Sequence, residues 1–244
     1  GTIDNIEEQG LISVGTSGVV LTYSNDSMNQ VGKYHYFNSL IEGQDYKMGV
    51  TLSAGYSLDW FKTRFAPGED FETLTKKAGE SSIGSKGILF LPYLFGERSP
   101  YFNAKMSAEF VGMKAYHNDG DLIRSVLEGV AFSLKNVYQT MRDLSDKQVQ
   151  KFRITGGVVK NPLWLQMFAD IFNSPIEVLA IDEGPAFGAL ICAIHASTGQ
   201  LPSEIWKKYN QVKKIYTPEK EAIEEYEVYY QKFKQLSDKM DASL

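Results

Sequence analysis

Halfway along the chain the apolar runs change character, and that change restricts the possible folds more than any other feature. In the first half, Leu11–Val14 and Val19–Tyr23 are short β-rich runs separated by Gly15-Thr16-Ser17-Gly18, and Tyr34–Phe37 and Tyr46–Val50 repeat the pattern. Short strands joined by tight glycine turns predict an antiparallel meander. In the second half, Phe152–Thr155 runs into Gly156-Gly157, then a helical segment Leu163–Phe172, a strand Pro175–Leu179 and a helix Ala186–Ser197. A meander followed by strand–helix alternation predicts an α/β domain with a mixed sheet flanked by helices.

Between these halves lies the strongest helical signal. From Asp119 to Arg142, Ile123, Val126, Leu127, Val130, Leu134, Val137 and Met141 recur at helical spacing and predict a single apolar stripe packed on the core. Gly129 interrupts good helix formers at about 1 kcal/mol relative to Ala, which predicts a close neighbour there. A helix is also expected through Leu58 to Phe61 with Ser53 as its cap, and a last helix from Thr217-Pro218-Glu219 with Thr217 as cap. Ile88–Leu91 and Phe110–Met113 read as brief strands.

With 244 residues, 43% of them hydrophobic, the chain has ample material for a core. Its net charge of −5 and scattered Lys and Arg argue against nucleic acid or an anionic membrane as partner. A single cysteine, Cys192, excludes an intrachain disulfide, and its apolar surroundings predict a small buried hydrophobe. No stretch has the length of a membrane span and the polar start lacks a signal-peptide layout, so a cytoplasmic setting is expected. The chain opens on Gly-Thr without Met, from which we expect residues upstream in a longer protein. His35, His117 and His195 lie far apart without ligand spacing, so no metal site is expected from them.

A glycine turn between strands leaves N–H groups unpaired and lets an anion approach, so Gly15, Thr16, Ser17 and Gly18 are candidates to cradle a phosphate. The same four residues also suit an ordinary hairpin. Gly156 and Gly157, between a strand and a helix, could present N–H groups to a nucleotide. Neither pair extends to a Walker loop or a dinucleotide fingerprint. Glu97-Arg98, on a loop bounded by Gly96 and Pro100, reads equally as a functional pair or a structural salt bridge.

Taken in order, these motifs resemble the FGGY family of carbohydrate kinases, which belongs to the actin and ribonuclease-H-like superfamily. Ala108–Met113, then Asp121-Leu122-Ile123-Arg124-Ser125-Val126-Leu127-Glu128, follows the family's second signature, with Ala108 where many relatives have glycine. Leu11–Gly18 resembles its second phosphate loop, Thr155–Trp164 its adenosine motif, and Gly184–Ala189 the glycine-rich helix start that follows. Met48–Trp60 and the loop Leu91–Tyr101 are most similar to the xylulokinase branch, and gluconokinases share the Gly-Glu-Arg loop.

The resemblance implies a ribonuclease-H-like (actin-like) fold and ATP with Mg²⁺ as cofactors. It implies that Thr16 and its loop bind the outer phosphates, that Gly157 and Asn161 border the adenosine, and that Gly55 and Asp59 lie along the nucleotide. It further implies that residues 1–244 are the C-terminal nucleotide-binding domain of a two-domain sugar kinase, and that the N-terminal domain, as partner, carries the catalytic aspartate and most sugar contacts. Asp4-Asn5 superficially resembles the aspartate motif but stands too close to Gly15 and lacks the flanking glycines, so no catalytic residue is assigned. The expected reaction is phosphorylation of D-xylulose to xylulose 5-phosphate by the whole enzyme. A gluconokinase-type enzyme and a non-catalytic nucleotide- or sugar-binding module are the alternatives, and a homodimer is left open.

Overall fold

The computed structural model describes residues 3, 8–24, 33–39, 44–142 and 149–244, so Asp4-Asn5 lies outside the described residues. The meander comprises β1 (Gln9–Val14), β2 (Gly18–Ser24), β3 (His35–Asn38) and β4 (Asp45–Thr51). It is followed by α1 (Gly55–Phe65), α2 (Phe71–Gly79), β5 (Leu89–Leu91), β6 (Glu109–Val111) and α3 (Asp119–Arg142). The alternating half comprises β7 (Lys151–Gly156), α4 (Pro162–Phe172), β8 (Ile176–Leu179), α5 (Gly184–Thr198), α6 (Pro202–Tyr209), β9 (Val212–Tyr216) and α7 (Lys220–Ser243).

One seven-stranded mixed sheet, ordered β3-β4-β2-β1-β7-β8-β9, joins the two halves. The join is the parallel pairing of β1 with β7, in which Ile12 faces Ile154 and Val14 faces Gly156. β2 is antiparallel to both β1 and β4, so β4 runs the same way as β1, β7 and β8. The C-terminal ends of these strands therefore share one edge, where ligands of open α/β sheets bind.

Alternation along β7 shows why helices cover both faces. Phe152 and Ile154 belong to the main core, whereas Arg153 points away, beneath the Trp206 ring of α6 at 4.2 Å and paired with Glu177 at 3.1 Å. A second, smaller apolar cluster, built from Leu179, Phe187, Ile191, Ile205 and Trp206, covers this face.

α3 departs from the expected stripe because it is buried almost all round. Its polar side is covered by residues 83–87 and by α7, and the charged groups there are paired internally. Arg124 donates to Glu128 at 2.8 Å and to the Tyr226 hydroxyl at 2.8 Å, and Lys135 donates to Glu227 at 2.7 Å. Such groups are kept inside only when bonded in this way. The close neighbour of Gly129 is the β5 backbone: a Cβ there would stand 2.2 Å from the Phe90 carbonyl oxygen.

Three local expectations need correction. The α1 cap position is Ala54, not Ser53, and no side chain caps it; α7 starts at Lys220 with Glu219 before it, so Thr217 is not its cap. Cys192 is exposed, because α5 buries only Gly184, Phe187 and Ile191 and turns Cys192 outward. Among the described residues, no helix is long and apolar enough to cross a membrane.

Candidate functional site

At the shared sheet edge, the turn after β1 is closed on itself by the Gly15 N–H, which donates to the Ser17 carbonyl at 3.0 Å. The start of α1 then holds it from behind. Ala54 N–H donates to the Thr16 carbonyl at 2.9 Å, Gly55 N–H to the Gly15 carbonyl at 2.8 Å, and Tyr56 N–H to the Thr16 carbonyl at 3.3 Å. These bonds explain the missing cap side chain: the orphan donors of a helix start are satisfied by the turn itself. They also fix the turn with its carbonyls inward. Among the described residues no protein acceptor receives the N–H of Thr16 or Ser17, and Gly15, Thr16 and Ser17 are exposed. Outward N–H groups on successive residues form an anion-binding concavity.

Gly55 is required by this packing, since a Cβ there would stand 2.6 Å from the Gly15 carbonyl oxygen. Asp59 follows one helical turn later and is exposed, and Gly18 is buried at the start of β2.

Beside this turn, on the neighbouring strand, Gly156 adopts φ of 95° and lies against β1, with room for no side chain: a Cβ would stand 2.3 Å from the Val14 carbonyl oxygen. Gly157 is the opposite case, exposed and with nothing within 4 Å of a Cβ. Asn161 caps α4, its Oδ1 accepting from Trp164 N–H at 3.0 Å while its amide donates to Thr75 Oγ1 of α2 at 2.9 Å. The Gly184–Ala189 segment opens α5 directly after β8, further along the same edge.

The structure thus sets the β1 turn against Gly55 at the start of α1, and Gly156 against Val14 at the end of β1, with Asp59 on α1 and Asn161 at the start of α4. Sequence reasoning did not identify the support beneath them. Glu97 is 3% exposed and does not pair side chain to side chain with Arg98, which is exposed; its Oε1 accepts the Leu52 N–H at 2.9 Å and the Arg98 N–H at 2.7 Å. Burial pushes its carboxyl up to about 7 against the lowering effect of those N–H groups. Close by in the chain, the hydroxyls of Thr51, Ser53 and Ser99 are buried without a hydrogen-bond partner. The one available signal was Glu97 itself, a carboxylate in a loop bounded by Gly96 and Pro100.

Residues 10–197 match the C-terminal domain of the FGGY family of carbohydrate kinases. The chain belongs to that family. Among FGGY relatives, it is 39% identical to the xylulose kinase of Lactococcus lactis subsp. lactis over 232 residues, covering 94% of this chain and 46% of that protein. It is 31% identical to the gluconokinase of Bacillus subtilis over 202 residues, covering 79% of this chain and 39% of that protein. A solved structure of ligand-bound xylulose kinase from Lactobacillus acidophilus superposes with a TM-score of 0.90 at 25% identity, over 97% of this chain and 48% of that one. The fold is therefore the actin-like, ribonuclease-H-like one of FGGY kinases. The chain spans about half the length of the curated relatives it matches.

The edge suits the nucleotide that FGGY kinases use. The unsatisfied Thr16 and Ser17 N–H groups suit an anion, and the open space at Gly157 leaves room for a flat group beside it. Among the described residues no group of three or more His, Cys, Asp and Glu side chains converges as a metal site. A magnesium ion at this edge would rely on phosphate and water oxygens for most of its shell, as this ion commonly does.

Proposed function

We propose that this chain is the nucleotide-binding domain of a two-domain, cytoplasmic sugar kinase that converts D-xylulose to xylulose 5-phosphate. The observation that carries the reading is the juxtaposition of an outward N–H turn after β1 with an open glycine after β7. In it, Thr16 and Ser17 hold the outer phosphates of magnesium-bound ATP through their backbone N–H groups and hydroxyls, while Gly15 and Gly18 shape the turn that presents them. Gly156, Gly157 and Asn161 border the adenosine, and Gly55 and Asp59 lie along the nucleotide.

ATP bound there supplies the phosphoryl group for in-line transfer to a sugar hydroxyl. The chain's own share is positional: the turn orients the phosphates and offsets their charge, which is most of what phosphoryl transfer asks of a protein. The base and the sugar contacts fall to the partner domain, whose closure excludes water as a competing acceptor. Xylulose is favoured over gluconate because the identity to the xylulose kinase exceeds that to the gluconokinase, 39% against 31%.

Calorimetric titration of the chain with ATP, with and without magnesium, tests the site. Saturable binding is expected, and Gly157→Trp should abolish it by filling the space that is open at Gly157. Binding that survives the tryptophan would remove the adenosine assignment. Sugar phosphorylation by the isolated polypeptide would refute the division of labour between domains.

A further inference from the structure

Glu97 stands outside the edge itself, yet two peptide groups converge on it. Leu52 N–H, just past the end of β4, and Arg98 N–H both donate to its Oε1, so a single oxygen ties the 92–103 loop to the β4–α1 junction. The loop is docked a second time by Ser99 N–H, which donates to the Val50 carbonyl at 2.9 Å, and the aromatic rings of Phe95 and Tyr56 meet at 5.2 Å. From Leu52 the chain passes through Ser53 to Ala54, Gly55 and Tyr56, whose N–H groups grip the Gly15 and Thr16 carbonyls.

The neighbouring hydroxyls do not share this task, since those of Thr51, Ser53 and Ser99 are buried without a partner. A buried carboxyl that bonds backbone where three buried hydroxyls bond nothing is an expensive group to keep for packing alone. We infer that Glu97 is a positioning residue for the anion-binding turn: it holds the β4–α1 junction in register, and through it the orientation of the Thr16 and Ser17 N–H groups. The inference rests on the nucleotide reading of that turn.

Both bonds converge on Oε1, leaving Oε2 with only a long contact from Ser133 Oγ at 3.5 Å. A glutamine can therefore keep Oε1 as the double acceptor and turn its amide nitrogen toward Ser133, whereas an alanine leaves the Leu52 and Arg98 N–H groups without that acceptor. That contrast separates the acceptor from the charge.

The test uses the full chain in two measurements. Amide hydrogen exchange of the unliganded protein should show Ala54 and Gly55 exchanging at least about tenfold faster in Glu97→Ala than in wild type, with Glu97→Gln close to wild type and the central β7 amides unchanged in both. ATP titration should show affinity at least about tenfold weaker in Glu97→Ala and near wild type in Glu97→Gln. Uniformly faster exchange across the sheet would reduce Glu97 to a packing residue and overturn the inference, as would a Glu97→Gln that behaves like Glu97→Ala. Should Glu97→Ala not fold, Glu97→Asp, which withdraws the acceptor by one methylene, takes its place with the same expectations. Wild type that binds no ATP would sink the nucleotide reading and this inference with it, whereas ATP binding equal in wild type and Glu97→Ala would sink the inference alone.

Discussion

The β1 turn and the β7 turn lie side by side on adjacent parallel strands, and each rests on a crowded glycine, but only the β7 turn adds an open one. In the first, Gly55 lets the α1 backbone close on the turn, with 2.6 Å between the Gly15 carbonyl and a would-be Cβ. In the second, Gly156 is wedged against Val14 in a left-handed conformation, while the very next residue, Gly157, faces empty space. Crowded glycines are structural requirements, and an open one leaves room for something else. Substitution should therefore separate stability from binding within a single dipeptide.

The largest loss is expected at the crowded end. Gly156→Ala combines a positive φ with a backbone clash against Val14, and each such insult carries about 1–3 kcal/mol, so about 3 kcal/mol of stability should go. Urea denaturation of variant and wild type measures it. A loss below about 1 kcal/mol would mean that β7 can shift away from β1, and the contrast with Gly157 would collapse.

The support beneath the β1 turn has the opposite sign. Glu97 has a folded-state value of about 7, above its ordinary 4.5, so its contribution to stability is fully present below about pH 4.5 and is lost as pH rises through 7. Above pH 7 the protein carries a buried charge. Glu97→Gln should therefore match wild type near pH 4.5 and exceed it at pH 8, by up to about 3 kcal/mol. Denaturation midpoints across that range check the slope, and a difference that does not change with pH would show that the carboxyl is not perturbed. Together with retained nucleotide affinity, this outcome would show that the turn needs an acceptor and not a charge.

Much of this was legible in the sequence, and the failures share a cause. The switch from meander to alternation was readable because periodicity is local, whereas the parallel join of β1 to β7 pairs residues 142 positions apart, such as Ile12 with Ile154, and no local pattern reveals it. The glycine turns were readable as candidates, since Gly15-Thr16-Ser17-Gly18 and Gly156-Gly157 stand at strand ends. Ser53 was misjudged as a cap because the true acceptors for the α1 N–H groups are carbonyls 38 or more residues away, in the β1 turn. The single stripe on α3 failed similarly: its polar face is covered by α7, some 100 residues downstream. Cys192 was misplaced because α5 is apolar along its length, and composition does not reveal which side a sheet will cover. Glu97 could be noticed but not explained, because the bond that ties its loop to the β4–α1 junction comes from Leu52, 45 residues earlier.

A smaller effect is expected next to the β7 turn. Asn161→Ala removes both the cap bond to Trp164 and the amide bond to Thr75, and cap removal alone is worth about 1 kcal/mol. If Asn161 also borders the nucleotide, affinity should fall as well, whereas Thr75→Ala, which removes the link from Asn161 to α2 together with a bond to the Phe71 carbonyl inside α2, should leave affinity near wild type. Equal affinity in wild type and both variants would confine Asn161 to capping.

The smallest change in stability belongs to Gly157→Ala. Its φ lies outside the left-handed region, its Cβ meets nothing within 4 Å, and replacing glycine by alanine at a compatible position restricts the unfolded chain. Stability should stay within about 0.5 kcal/mol of wild type, with any shift toward gain. Affinity for ATP should nonetheless fall in a size series from Ala through Val to Trp at this position, because each side chain enters space that the ligand needs. Affinity that tracks size while stability does not would identify Gly157 as a wall of the site, and a parallel fall of both would return it to the same class as Gly156.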